Sequence, residues 1–360
     1  MNCCRGTEAQ KTRLSKTLKA HTGSLLTGFT LLAAFIVVGV FGLRQYVTSH
    51  HVVQATASTL RTISHQTQAE VFKQRSHRIR QSCINITREF KPWPYLSNRT
   101  FIQASSFTKL YVDETHKVVY CRTPSAASVN IHRWMLGLKG IKNSAGITAF
   151  DMFNRKGKYY RVFRKMKLSN YKVEDIRRIL SNYTKVIVVR NPFERLLSLY
   201  RATIEKDQLM GTNRVFQPYR EAILRQYKPG LTEDVYKNGL GIKFKEFLNF
   251  LANPRDFATL PPEVSWMRYY DLCHPCVVNY DRIVKFESFR EDMSYISKER
   301  GAEKVPATFL SSPKTSAVLS AYYKEIPYTD LIKLKKVFTV DFDIFGYDFK
   351  QFMNRIIQYL

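Results

Sequence analysis

The chain has 360 residues, 44% hydrophobic and 13% aromatic, a balance that excludes wholesale disorder and supplies one large domain plus appendages. Its 57 Lys and Arg against 29 Asp and Glu leave a formal charge of +28. That excess points to a polyanionic partner: nucleic acid, an acidic membrane surface or an acidic polysaccharide.

The first predicted element narrows the choice. Leu25 to Leu43, "LLTGFTLLAAFIVVGVFGL", is uncharged, and at about 1.5 Å per residue it nearly spans a hydrocarbon core about 30 Å thick. A secretory signal would be shorter and followed by a small-residue cleavage site, whereas Arg44 and Tyr46 follow here. Arg5, Lys11, Arg13, Lys16 and Lys19 precede the span, and only Arg44 and Arg61 fall in the next twenty residues. This asymmetry predicts a cytoplasmic tail over 1–24, a signal anchor over 25–43 and a lumenal body, the type II arrangement. With the body in the lumen, nucleic acid is not an expected partner.

Cysteine usage fits that topology. Cys83, Cys121, Cys273 and Cys276 fall on the lumenal side, an even number in an oxidising compartment, while Cys3 and Cys4 stay cytoplasmic. Three glycosylation sequons, at Asn85, Asn98 and Asn182, are also lumenal. Residues 44–106 are polar and basic, with "KQRSHRIR" at Lys73 to Arg80, and read as a stem. The spacing Val53, Ala57, Leu60, Ser64, Thr67, Val71 is helical, a weak seam through which the stem would make a homo-oligomer.

From residue 107 to 360 the pattern is globular. "KLYVD" and "KVVYCR" read as strands joined by the turn "DETHK", and "KVIVVR" (Lys185 to Arg190) as a buried strand. Both of the last two run through a short loop into a helical period; Phe193, Leu196, Leu197 and Tyr200 share one face, with Pro192 in the first turn. Strand, loop and helix, repeated, predicts a parallel α/β sheet flanked by helices, with ligands at the carboxyl ends of its strands. The loop Pro124 to Asn130 is laid out as a phosphate cradle yet contains no lysine or arginine. In the second unit, Arg190 and Ser198 are spaced so that a guanidinium fork and a hydroxyl can meet one phosphate; the competing reading pairs Arg190 with Glu194 at the surface. Cys273-His-Pro-Cys276 allows a redox pair, half a zinc site or structural disulfides, formed within the motif or exchanged with Cys83 and Cys121. No other spacing suggests a metal, and the absence of G-x-x-x-x-G-K-[ST] argues against a P-loop NTPase.

"RNPFERLLSLYR" resembles the 3'-phosphate motif of Golgi carbohydrate sulfotransferases, commonly R-[DE]-P-F-x-R-L-x-S-x-Y. "VDETHKVVYCRTPSAASVN" sits where that family has its 5'-phosphosulfate loop. "GIKFKEFLNFL", "LCHPCVVNYDRIVKFESFRED" and "YYKEIPYTDLIKLKKVFTVDFDIFGYDF" are similar to the C-terminal half of its chondroitin 4-O-sulfotransferase branch. The resemblance runs roughly from Lys109 to Phe349. It implies the sulfotransferase fold, a P-loop-like sheet, and transfer of a sulfuryl group from 3'-phosphoadenosine 5'-phosphosulfate (PAPS) to a hydroxyl of a chondroitin-like acidic glycan, without a metal, in the Golgi lumen.

Carried onto this chain, the resemblance implies that Pro124, Ser125, Ala126, Ala127, Ser128, Val129 and Asn130 line the 5'-phosphosulfate. Arg190, Asn191, Pro192, Phe193, Glu194, Arg195, Leu196, Leu197 and Ser198 would surround the 3'-phosphate. The chain departs from the family at Ser125, where a lysine is usual; at Val129 and Ile131, which replace Thr and Trp; and at Ser265-Trp266, where His-Trp is common. Losing one such electrostatic contact typically costs about 10²- to 10³-fold in rate. Arg122 or Arg133 is the expected substitute cation, with His132 beside Arg133 in the first turn of the following helix; Glu263 is near enough to replace the usual base, and no catalytic base is assigned. The alternative is a catalytically impaired relative that binds glycan or nucleotide in the lumen.

Overall fold

The computed structural model describes residues 68–86, 104–205, 215–253, 260, 263–301 and 318–357. The predicted tail, the span 25–43, most of the helical seam at Val53–Val71 and the sequon at Asn98 lie outside them. Among the described residues no helix is long and apolar enough to cross a membrane.

A helix over residues 68–86 (α1) precedes β1 (Leu110–Asp113) and β2 (Val118–Cys121). These two form the expected hairpin, in register Leu110↔Cys121 to Asp113↔Val118. The Asp113 carboxylate accepts the Thr115 and His116 N–H groups and holds the turn. Next come α2 (Ser128–Leu138), α3 (Ala149–Phe153), α4 (Lys158–Lys165), α5 (Val173–Asn182), β3 (Thr184–Val189) and α6 (Pro192–Thr203). After α7 (Gln217–Tyr227), α8 (Glu233–Asn238), α9 (Phe244–Ala252), α10 (Tyr269–Cys273) and α11 (Pro275–Val278) comes β4 (Arg282–Lys285). The fold closes with α12 (Phe289–Glu299), α13 (Leu319–Tyr323), α14 (Tyr328–Phe345) and α15 (Phe349–Ile357).

The sheet order is β1-β2-β3-β4, with β2, β3 and β4 parallel. The expected parallel sheet therefore acquires an antiparallel edge strand, because a four-residue turn returns β1 directly against β2. β3 is buried on both faces: Ile187 and Val189 join the core that contains α5 and α10, while Val186 and Val188 join the core under α2. That double burial explains its uninterrupted β-branched run.

The expected stem is corrected at its carboxyl half. The compact unit that holds the sheet begins at Gln68, and α1 is part of it. Phe72 and Ile79 are buried in the two cores that sandwich the sheet, Arg75 donates to the Ile283 carbonyl at 2.8 Å, and Ser76 to the Tyr280 carbonyl at 2.9 Å. Two disulfides complete the unit. Cys83 pairs with Cys276 and Cys121 with Cys273, so the cysteines of the CxxC motif are exchanged with the other two. No group of His, Cys, Asp or Glu suited to a metal occurs among the described residues.

Candidate active site

The cradle forms where β2 hands over to α2. Ser125 and Ala127 both have positive φ, 60° and 55°, with Ala126 of ordinary sign between them. Left-handed backbone at two non-glycine residues costs of order 1–3 kcal/mol each and persists only where surrounding contacts impose it. Those contacts are identifiable: the Thr123 hydroxyl donates to the Val188 carbonyl at 2.7 Å, and Arg195 Nε donates to the Pro124 carbonyl at 3.1 Å. Such alternation is a geometry that binds anions through backbone N–H groups; here the Ala126 N–H closes the turn onto the Thr123 carbonyl at 3.3 Å, which leaves its neighbours to face the concavity. Immediately beyond, α2 starts at Ser128 with no side-chain cap at Ala127, so the positive end of the helix faces the same concavity.

The second unit is built from buried cations. Asn191 caps α6 by accepting the Phe193 and Glu194 N–H groups, and Pro192 occupies the first turn. Arg190 is 1% exposed; its guanidinium lies 4.2 Å from the Phe286 ring and 3.4 Å from Glu194. Glu194 is held more tightly by Arg355, at 2.6 Å, so the trio of two arginines and one carboxylate keeps a net positive charge. Arg190 Nε has no hydrogen-bond partner. The Arg190–Glu194 pair foreseen as a surface contact thus exists, but in the interior. Ser198 is the one residue from Asn191 to Tyr200 that is not buried, so its hydroxyl is the accessible group of that helix face.

Arg195 joins the two units. Besides Pro124, it donates to the Met267 carbonyl at 2.7 Å and the Ser265 carbonyl at 3.0 Å, and it lies 4.5 Å from the Tyr269 ring. This fork draws the 265–267 segment against the cradle and brings Glu263 with it. Glu263 accepts from the Ser265 N–H and hydroxyl at 2.8 and 2.6 Å.

The remaining candidates separate clearly. His132 is 1% exposed among the rings of Tyr111, Tyr120, Phe153 and Phe163, with Nδ1 2.6 Å from the Ser128 carbonyl. Burial, aided by Arg122, pushes its pKa down to about 3, so the ring is neutral and structural. Arg133 commits its Nε to the Ile147 carbonyl at 2.9 Å. Arg122 stacks on Phe153 at 4.3 Å and lies opposite Lys109, whose carbonyl accepts the Arg122 N–H at 2.8 Å. Lys109 is held below the usual lysine range by its burial and then by Arg122 and Lys167, with Glu263 acting in the opposite direction. Among the described residues Lys109, Arg122 and Lys167 form no ion pair within 4.0 Å. Asn85 and Asn182 are exposed, as sequon residues must be.

Several site residues left no mark in the sequence. Tyr269 accepts the Arg190 N–H at 2.9 Å, Glu287 accepts the Asn191 N–H at 3.1 Å, and the Tyr323 hydroxyl donates to the Phe193 carbonyl at 2.8 Å. Lys109 was detectable only through the hairpin register that sets it opposite Arg122.

A nucleotide sulfate donor, which carries anionic groups at two places, fits this set. The cradle offers backbone N–H groups to one, and the orphaned Arg190 Nε with Ser198 offers a cation and a hydroxyl to the other. Residues 108–348 match the model of the sulfotransferase family, and the chain belongs to it. Within that family it is similar to the carbohydrate sulfotransferases. It is 30% identical to human carbohydrate sulfotransferase 9 over 67% of this chain and 53% of that protein, and 28% identical to rat carbohydrate sulfotransferase 11 over 71% and 72%. Carbohydrate sulfotransferase 10 of Xenopus laevis is 25% identical over 76% of each chain. No solved structure matches.

Proposed function

We propose that this protein transfers the sulfuryl group of PAPS to a hydroxyl of a chondroitin-like acidic glycan, as a single-pass type II protein of the Golgi membrane with its catalytic unit in the lumen. The observation that carries this reading is the Arg195 fork, which fixes the anion cradle, the Arg190 loop and the Glu263 segment as one rigid constellation. Lumenal placement is supported by the two disulfides, which persist in oxidising compartments, and by exposure of Asn182. The expected homo-oligomer through the stem remains part of this proposal.

The donor, when bound, supplies an activated sulfuryl group with a nucleotide leaving group. Arg190 and Ser198 hold its 3'-phosphate, and the N–H groups of the 124–130 loop hold its 5'-phosphosulfate. Charge developing on the leaving oxygen would be offset by Lys109 and Arg122, in place of the lysine absent at Ser125; Arg133, whose Nε is committed to the Ile147 carbonyl, has its remaining guanidinium N–H groups for a supporting part. Glu263 accepts the proton of the acceptor hydroxyl at its carboxylate, held in place by Ser265.

Titration of the full-length protein with 3'-phosphoadenosine 5'-phosphate tests the donor site. The Arg190→Ala protein is expected to bind at least about tenfold more weakly, the loss of one charge-assisted contact. An unchanged dissociation constant overturns the assignment. Ser125 favours one second reading, a relative that binds the nucleotide but transfers slowly, and radiolabelled transfer to a chondroitin panel separates the two.

A further inference from the structure

The basic segment "KQRSHRIR" is not used by the site described above, yet α1 places it on a cavity. This cavity, of about 510 Å³, opens between α1, the end of β4 and the end of α14. Its size lies in the range of small-molecule sites, roomy enough for a sugar residue. Its walls include Arg75, His77, Arg78 and Lys285, together with the neutral Gln74, Gln81, Ser82 and, at the rim, Asn85, and no carboxylate lines it.

The charge there is only partly compensated. Arg75 is paired with the buried Asp292 at 2.6 Å, but Lys285 and Arg78 form no ion pair within 4.0 Å among the described residues. Lys285 Nζ donates to the Gly346 carbonyl at 3.3 Å and lies 4.6 Å from the Tyr347 ring. Glu287, the nearest acid along the chain, is instead turned to the Asn191 N–H and the Tyr347 hydroxyl. Arg78 is exposed and lies against Gly346: a Cβ added there, where φ is 62°, would meet Arg78 Nε at 2.8 Å. Burial, then the charges of Arg75 and Arg78, lower the Lys285 pKa, with Glu287 and Asp292 acting in the opposite direction.

The cavity's position gives it a role. Lys285 pairs in register with Val189, the residue before Arg190, and the next residue, Phe286, carries the Arg190 guanidinium. The cavity therefore flanks the nucleotide strand on the β4 edge, while Lys109, Arg122 and Lys167 lie on the β1 side. We propose that this cavity is an anion subsite for the acidic glycan itself. It holds a carboxylate or sulfate ester on a sugar unit other than the one modified, and so positions the polymer across the carboxyl ends of the strands. The inference rests on the glycan sulfotransferase reading.

The test uses full-length protein in detergent and an unsulfated chondroitin hexasaccharide, compared with the same oligosaccharide after reduction of its carboxyl groups. Wild type is expected to bind the carboxylated form at least about tenfold more tightly. A double Arg78→Gln, Lys285→Gln protein should lose that preference while keeping its affinity for 3'-phosphoadenosine 5'-phosphate. Gln81→Glu provides a second route, because it adds a repelling charge at an exposed position without removing an arginine or lysine contact. Equal binding of the two oligosaccharides by wild type, or an undiminished preference in both variants, overturns the subsite. So does loss of inorganic sulfate binding in the double variant with oligosaccharide binding intact, which would make the cavity a small-anion site. Failure of wild type to bind the nucleotide overturns the sulfotransferase reading instead.

Discussion

After β2 the chain enters its helix through a loop that holds no cation and is shaped by two left-handed residues. After β3 it enters through Arg190-Asn191-Pro192, with the guanidinium groups of Arg190 and Arg195 both 1% exposed. The first loop offers oriented N–H groups, whose attraction for an anion is short-ranged and geometric. The second offers formal charge in a low-dielectric setting, where it acts more strongly. The two are not independent, since the carbonyl that fixes the first loop, Pro124, is held by a cation of the second. A cradle poor in charge can thus be kept in shape by a neighbour that is rich in it.

Breaking that link should have the largest effect. Arg195→Ala leaves the partly buried carbonyls of Pro124, Ser265 and Met267 without their donor, and at up to about 1–3 kcal/mol per group left unsatisfied it should destabilise the unit. Denaturant unfolding would show this, and a wild-type midpoint would mean the two loops hold their shapes separately. Glu263→Gln is expected to lower kcat by about 10²- to 10⁴-fold at unchanged nucleotide affinity. A fall in nucleotide affinity without a fall in kcat would place Glu263 in the cradle's support.

Ser125→Lys asks how complete the compensation is. If Lys109 and Arg122 already supply the charge, transfer should rise less than about tenfold, whereas a gain of 10²-fold or more would show a cradle short of a cation. Because φ is positive at this position for either residue, the exchange adds little backbone strain.

The smallest effect concerns acid. His132 has its pKa depressed in the fold, to about 3, against an unfolded value near 6.5. Its contribution to stability is therefore present above about pH 6.5 and is lost as pH falls from there toward 3. His132→Phe should flatten the fall of melting temperature with pH over that window. An unaltered slope would assign acid sensitivity to other groups.

Much of this arrangement was legible because it is local. The hairpin, both strand-loop-helix units and the buried face of α6 follow from short apolar and β-branched runs bounded by turn residues, from the 3.6-residue period and from Pro192. What stayed hidden depends on partners far along the chain: Arg195 meets a carbonyl 71 residues earlier, and Tyr269 meets Arg190 across 79 residues. Helix α1 was read as stem because its charges dominate the composition. Its buried stripe, Phe72, Ser76, Ile79 and Ile86 with half-buried Cys83 between, is only one residue wide and includes a serine. The CxxC motif left pairing within itself and exchange with Cys83 and Cys121 both open, since spacing cannot show that each cysteine bonds to a different element; the structure selects the exchange.

The seat of α1 also bears on how the protein behaves once cut. β4 is an edge strand, and α1 shields it through the bonds of Arg75 and Ser76 to backbone carbonyls at Ile283 and Tyr280. A protease that severed the chain shortly before Gln68 would release a unit that retains this guard and both disulfides. Cleavage near residue 107, with α1 then lost on reduction of its disulfide, would bare a sheet edge and leave Cys276 with a reactive thiol. Such a product invites strand-to-strand aggregation and intermolecular crosslinking, so the position of the cut determines whether the severed unit stays monomeric.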